Sequence, residues 1–139
     1  MEKKVIVHIQ DNHRSEDDSY SSELTTTGRL DCSGADYLLR YTETDEEFQE
    51  CTTTLEVRGD RQIIMTREGP YSTQMILEKN RRHSIIYETP YGAVQLGVFA
   101  KDIHSEMNGS GGKLRLRYAI DYSSGQRSMN ELTLTVREA

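Results

Sequence analysis

Leu114-Arg115-Leu116-Arg117-Tyr118-Ala119-Ile120-Asp121-Tyr122 alternates in a way that fits a half-buried β-strand and nothing else well. Leu114, Leu116, Tyr118, Ile120 and Tyr122 fall on one face, while Arg115, Arg117 and Asp121 fall on the other. The same period of two recurs along nearly the whole chain. It predicts a single antiparallel sheet wrapped around one apolar interior, with the arginines of this strand facing solvent.

Working outward, a first strand spans about Lys3 to Asp11, with Val5, Val7 and Ile9 on one face and His8 opposite them. The charged stretch Asn12 to Ser19 reads as a loop. A Thr/Ser-rich strand follows from about Tyr20 to Cys32, with Gly28 marking a bulge or sharp bend. Tyr37 to Tyr41 makes a third strand. Thr44-Asp45-Glu46-Glu47 matches a helix capping box, but the segment behind it has no apolar stripe, so a solvated loop is preferred.

Cys51 to Arg58 alternates and is closed by Gly59-Asp60, and Gln62 to Arg67 ends at the Glu68-Gly69-Pro70 turn. Thr73, Met75 and Leu77 lead to a Lys79-Asn80 turn, with Arg82 to Tyr87 as the answering hairpin strand. Thr89-Pro90-Tyr91-Gly92 turns a corner into a strand carrying Val94, Leu96, Val98 and Ala100, which Gly97 is able to bend. Asn108 to Gly112 forms a flexible hairpin tip, Ser123 to Gln126 another turn, and Leu132, Leu134 and Val136 mark the last strand.

This makes nine or ten short sequential strands with no convincing helix, which suits an up-and-down barrel or a sandwich. The mostly local turns favour a meander that closes on itself, since closure removes exposed sheet edges. The expected fold is therefore all-β, one antiparallel closed barrel of about 8–10 strands over residues 1–139. A barrel of that size holds either packed side chains or one small ligand.

The chain of 139 residues is one domain, and its hydrophobic fraction of 35% beside 29% charge is what a sheet with one wet face produces. A net charge of -6 argues against duplex DNA or an anionic membrane as the main partner. No signal peptide and no membrane span is read, so a cytoplasmic setting is the default. Cys32 and Cys51 are read as reduced packing thiols; a disulfide between them would need an oxidising compartment, to which nothing points.

No catalytic motif is found, and no cofactor or metal is expected. His8, His13, His83 and His104 are scattered without ligand spacing, and the acidic runs Glu16-Asp17-Asp18 and Asp45-Glu46-Glu47 lack a calcium-loop pattern. Arg58-Gly59-Asp60 reads as turn chemistry rather than an adhesion motif, and Asn108-Gly109-Ser110 as a sequon out of context. Lys79 to His83 forms a basic hairpin, but the tyrosines lie mainly on the inner face, which disfavours base stacking; no nucleic acid is expected.

The clearest functional signal is Arg and Tyr on otherwise apolar faces. Arg67 shares a face with Ile63 and Met65, so an inward guanidinium needs a carboxylate or an anionic ligand group. Tyr41, Tyr87, Tyr91 and Tyr118 are the candidate lining residues beside it, each with an apolar body and one hydrogen-bonding tip. The competing reading pairs Arg67 with an internal Glu and lets the tyrosines simply fill the interior.

The spacing of Ile64-Met65-Thr66-Arg67-Glu68-Gly69, Met75 and Tyr87-Glu88-Thr89-Pro90-Tyr91-Gly92 resembles the YwiB-like proteins of low-GC Gram-positive bacteria. So does the closing pattern of Gly112, Leu114, Leu116, Tyr118, Ser128, Asn130 and Leu132. The resemblance covers essentially the whole chain. It implies a lipocalin-like (calycin) barrel and carries no activity, since that family is itself of unknown function. Fold analogy then suggests a non-catalytic binder of a small apolar or amphipathic ligand. The alternative is an interaction or assembly module with a filled barrel, and the oligomeric state is expected to be monomer or homodimer. An enzyme ranks third.

Overall fold

The computed structural model describes residues 2–16, 18–44, 50–69, 72–89, 91–122 and 125–139. Ten strands account for nearly all of them: β1 (Glu2–Arg14), β2 (Ser19–Ser33), β3 (Asp36–Thr44), β4 (Glu50–Arg58), β5 (Gln62–Glu68), β6 (Thr73–Glu78), β7 (Arg82–Thr89), β8 (Gly92–Asn108), β9 (Gly111–Asp121) and β10 (Arg127–Glu138). No helix occurs among the described residues. The capping box at Thr44 to Glu47 falls at 45–47 outside the described residues, as do Asp17, Pro70, Pro90 and the Ser123-Ser124 turn.

Every ladder between these strands is antiparallel, and the spatial order is β6-β5-β4-β3-β2-β1-β10-β9-β8-β7. The sheet coils into a nearly closed barrel. Alternation sets which side chains go inside: Val5, Val7 and Ile9 of β1, Leu39 of β3, Leu55 and Val57 of β4, Ile63 of β5, Leu77 of β6, Leu114 and Leu116 of β9, and Leu134 of β10 are all buried in one cluster. Arg115 and Arg117 are exposed on the outer face, as the alternation predicts.

Two strands run past their expected ends. β1 continues to Arg14 and β2 starts at Ser19, in unbroken register from Val5↔Gly28 to Arg14↔Ser19, so the expected Asn12–Ser19 loop shrinks to the residues between them. The cause is the ladder itself, because backbone pairing does not require the side chains to alternate in hydrophobicity. At Gly28 the β2–β3 ladder stops, and a Cβ there would strike the Arg40 carbonyl oxygen. Beyond it Thr26 Oγ1 donates to the Thr42 carbonyl at 2.8 Å. Gly112, at φ 152°, lies against the Glu106 carbonyl where no Cβ fits, so it belongs to the start of β9 rather than to a loose tip.

The Lys79-Asn80 turn forms, with Asn80 at φ 62°, but β6 and β7 are not the ladder partners that their sequence position predicts. Their pairing ends at Glu78↔Arg81. The turn is held by its neighbours instead: the Lys79 amide donates to the Arg61 carbonyl at 3.0 Å and the Asn80 amide to the Ala100 carbonyl at 2.9 Å. Above the turn the two strands border an open groove of about 860 Å³, lined among others by Thr73, Gln74, Ile76, Ser84 and Ile86.

Candidate functional site

On β1, β3, β5 and β10 the inward face does not stay apolar to its end. On β1 the series Val5, Val7, Ile9 continues as Asp11 and His13, and on β3 Tyr37, Leu39, Tyr41 continues as Glu43. β5 goes from Ile63 and Met65 to Arg67, and β10, read backwards, from Val136, Leu134 and Leu132 to Asn130 and Ser128. The register aligns these polar continuations at one end of the barrel: Asp11 faces Leu132 and Ser22, His13 faces Asn130 and Tyr20, and Arg67 faces Thr53 and Thr73.

There they enclose a chamber of about 110 Å³ whose walls are Ile9, Leu24, Met65 and Leu132 on the apolar side and Asp11, Ser22, Tyr41, Glu43, Arg67 and Tyr118 on the polar side. Arg67 Nη2 donates to Glu43 Oε1 at 2.8 Å, and the same carboxylate oxygen accepts from Thr53 Oγ1 at 2.8 Å. Thr53 is completely buried. The guanidinium therefore does find an internal glutamate. Burial works against its charge, but the Glu43 carboxylate, with Tyr41 and Tyr87, more than offsets this and holds it above its ordinary range.

The pairing leaves loose ends. Asp11 Oδ1, Arg67 Nε and Thr73 Oγ1 are buried without a hydrogen-bond partner among the described residues. Burial raises the Asp11 carboxyl above its ordinary range, opposed by His13 and Arg67. A carboxylate on the outer face of β9 shows the contrast. Asp121 accepts from Arg127 Nε at 2.7 Å and from Arg82, and the Arg127 bond above all pulls its carboxyl below the ordinary range. Both Tyr41 and Tyr118 have phenols pushed well up by burial, Tyr41 with Glu43 adding to the effect and Tyr118 with Asp11.

Next to the chamber, His13 stacks on Tyr20 at 4.6 Å between ring centroids, and its Nδ1 lies 2.8 Å from Asn130 Oδ1. Asn130 Nδ2 in turn donates to Ser128 at 3.2 Å, and Ser128 also meets the Tyr122 hydroxyl at 3.3 Å.

Of the residues singled out from sequence, Arg67, Tyr41 and Tyr118 are brought together in the chamber wall. Tyr87 reaches its neighbourhood from β7 and is 36% exposed. Tyr91 is not part of it: at 98% exposed it stands on the outside, because its place in the corner before β8 carries it past the end of the interior. Asp11, Glu43 and Ser22 are the members that sequence reasoning passed over. Parity would have found the first two, since each lies two residues beyond an apolar inward residue.

The other motifs fall into structural roles. Gly59 turns at φ 57°, and Asp60 Oδ1 accepts the Ser105 amide at 2.9 Å, so Arg58-Gly59-Asp60 ties the β4–β5 turn to β8. The basic hairpin is matched by carboxylates: Lys79 with Asp102 at 3.8 Å, Arg81 with Glu78 at 3.5 Å and Arg82 with Asp121. Cys32 and Cys51 are not bridged to each other. Among the described residues no cluster of three or more His, Cys, Asp or Glu is placed to hold a metal, and no helix is long and apolar enough to cross a membrane.

Comparison with known proteins supports the architecture. A crystal structure of the ywiB protein from Bacillus subtilis superposes with a TM-score of 0.81 over 99% of this chain and 93% of that one, at 19% sequence identity, a likeness of fold. No curated protein matches the chain. Residues 7–134 match a family described as a domain of unknown function, DUF1934, and that span holds every strand of the barrel in whole or in large part. The chain belongs to this family of YwiB-like barrels.

Proposed function

We propose that the protein binds a small amphipathic molecule in the chamber bounded by Asp11, Tyr41, Arg67 and Tyr118, without catalysing its conversion. The observation that carries this reading is that Asp11 and Arg67, whose Oδ1 and Nε have no hydrogen-bond partner among the described residues, line one chamber, with Thr73 beside Arg67 in the ladder. Leaving such groups buried and unsatisfied costs about 1–3 kcal/mol each, and a guest that supplies partners recovers that cost. The apolar walls at Ile9, Leu24, Met65 and Leu132 suit a short hydrocarbon portion.

Size narrows the guest. A chamber of about 110 Å³ lies well below the roughly 300–1,000 Å³ of pockets that take drug-sized ligands, so long acyl chains do not fit. The setting proposed is cytoplasmic, with nucleic acid and membrane outside its partners. A screen of small soluble fragments by ligand-observed NMR tests the reading. Binding of molecules of a few heavy atoms, with shifts confined to the chamber strands β1, β2, β3, β5, β9 and β10, is the expected result. Preferential binding of long-chain fatty acids, or no binding at all, would sink it.

A second reading rests on a different observation. The edges of β6 and β7 face an open groove rather than each other, and Ile86 is 66% exposed on its rim. Unpaired edges are pairing templates, which suits an assembly role. Light scattering separates the two: a stable dimer abolished by Ile86→Lys supports assembly, and a strict monomer at high concentration removes it.

A further inference from the structure

We propose that the chamber selects a small cationic amine, docked on Asp11, rather than an anion docked on Arg67. This rests on the binding role proposed above and specifies its ligand class. Charge is the first argument. The polar wall holds one guanidinium and two carboxyl groups, and Arg67 is already matched by Glu43 at 2.8 Å. An incoming carboxylate or phosphate would compete with Glu43 for the guanidinium and leave a third negative group in the same enclosure. An ammonium instead balances Asp11, which has no ion-pair partner among the described residues.

The acceptors form the second argument. An ammonium carries three N–H donors and no acceptor. The wall around Asp11 offers its unpartnered Oδ1, the Ser22 hydroxyl facing it across the β1–β2 ladder, and the phenol of Tyr118, whose ionisation the Asp11 charge already opposes. Tyr41 and Tyr118 also line the space, and ring faces attract cations. Ile9, Leu24 and Leu132 then receive a short alkyl tail. The volume fits a guest such as n-butylammonium and excludes a long-chain amine.

The test compares n-butylammonium, n-butanol and butyrate, which share a tail and differ in head group, on the intact protein at neutral pH. Titrations followed by amide NMR should rank the amine first, with shifts centred on residues 9–13, 22–24 and 118. The Asp11 carboxyl carbon resonance of the unaltered protein should move on binding, a readout that needs no variant. Asp11→Asn should weaken the amine about tenfold or more, the scale of one lost charge-assisted hydrogen bond, while leaving butanol little changed. Butyrate binding best, or an Asp11 resonance that does not move, overturns the amine assignment and leaves a ligand chamber standing. Failure of all three to bind overturns both.

Discussion

The two ends of the barrel interior are built by the same strands and the same inward-facing positions, yet they differ in kind. At one end Leu39, Leu55, Ile63, Leu77, Leu114 and Leu116 are packed without exposure, and the phenol of Tyr37, pushed up to about 12 by burial, accepts from Ser105 Oγ at 3.3 Å. At the other end, one or two pleats further along β1, β3 and β5, the same face carries Asp11, Glu43 and Arg67 around a chamber with unpartnered polar atoms. The first end is finished without a guest. The second leaves polar groups that lack a partner among the described residues and that water or a ligand can complete.

Substitutions at the two ends should separate them clearly, and the largest effect belongs to the packed end. Leu116→Ala there removes a side chain that is fully buried, and urea unfolding should show a loss of about 2–5 kcal/mol. Arg67→Met, at the chamber, should cost less, about 1–2 kcal/mol, because the pair with Glu43 is partly solvated and Thr53 still donates to the stranded carboxylate. Adding Glu43→Gln to that variant should recover part of the loss, and a double-mutant cycle showing no coupling would deny the pair its place in the chamber wall.

Asp11→Asn should go the other way. The folded state holds the Asp11 proton more tightly than the unfolded chain does, so stability contributed by this group is lost as pH rises above the ordinary value of 3.8. At neutral pH the ionised group is a liability, and the asparagine variant, which keeps an oxygen acceptor but carries no charge to desolvate, should gain stability, by about 1 kcal/mol. The gain should vanish below the ordinary carboxylate range, where both forms are neutral. Thermal melts across pH check it, and a gain that persists in acid would point to a packing effect instead. The smallest change is expected outside both ends: Tyr91→Ser, at a fully exposed ring, should stay within about 0.5 kcal/mol.

The difference between the ends also explains what could be read from the chain alone. Alternation is legible because it contrasts two faces, and Val5, Val7, Ile9 or Leu114, Leu116, Tyr118 supply that contrast in full. Where the inward residues turn polar the contrast disappears, so the pattern of β1 stops at Asp11 although its ladder runs to Arg14. The same loss of signal hid Glu43 at the end of β3. Arg67 stayed visible because Ile63 and Met65 precede it on a strand whose other face differs. The open β6–β7 groove had no signature, since a Lys-Asn turn between two alternating runs predicts a hairpin and the hydrogen bonds that divert it come from Arg61 and Ala100, distant in sequence.

That groove also bears on how the chain threads its own sheet. The ends of β1 and β10 lie side by side, with Val5 facing Glu138, Lys3 Nζ 3.0 Å from the Glu138 carboxylate and the Ala139 amide donating to the Lys4 carbonyl at 3.2 Å. Among the described residues β6 and β7 share no strand ladder, and their gap is closed at its foot by the Lys79-Asn80 connection, with the Glu78↔Arg81 bridge and the bond from the Asn80 amide to the Ala100 carbonyl. A circular permutant that joined β10 to β1 and began at Arg81 would have its ten strands in strict spatial order, from one lip of the groove to the other. Covalent continuity would then run where the ladder is complete, and both termini would lie where it is broken.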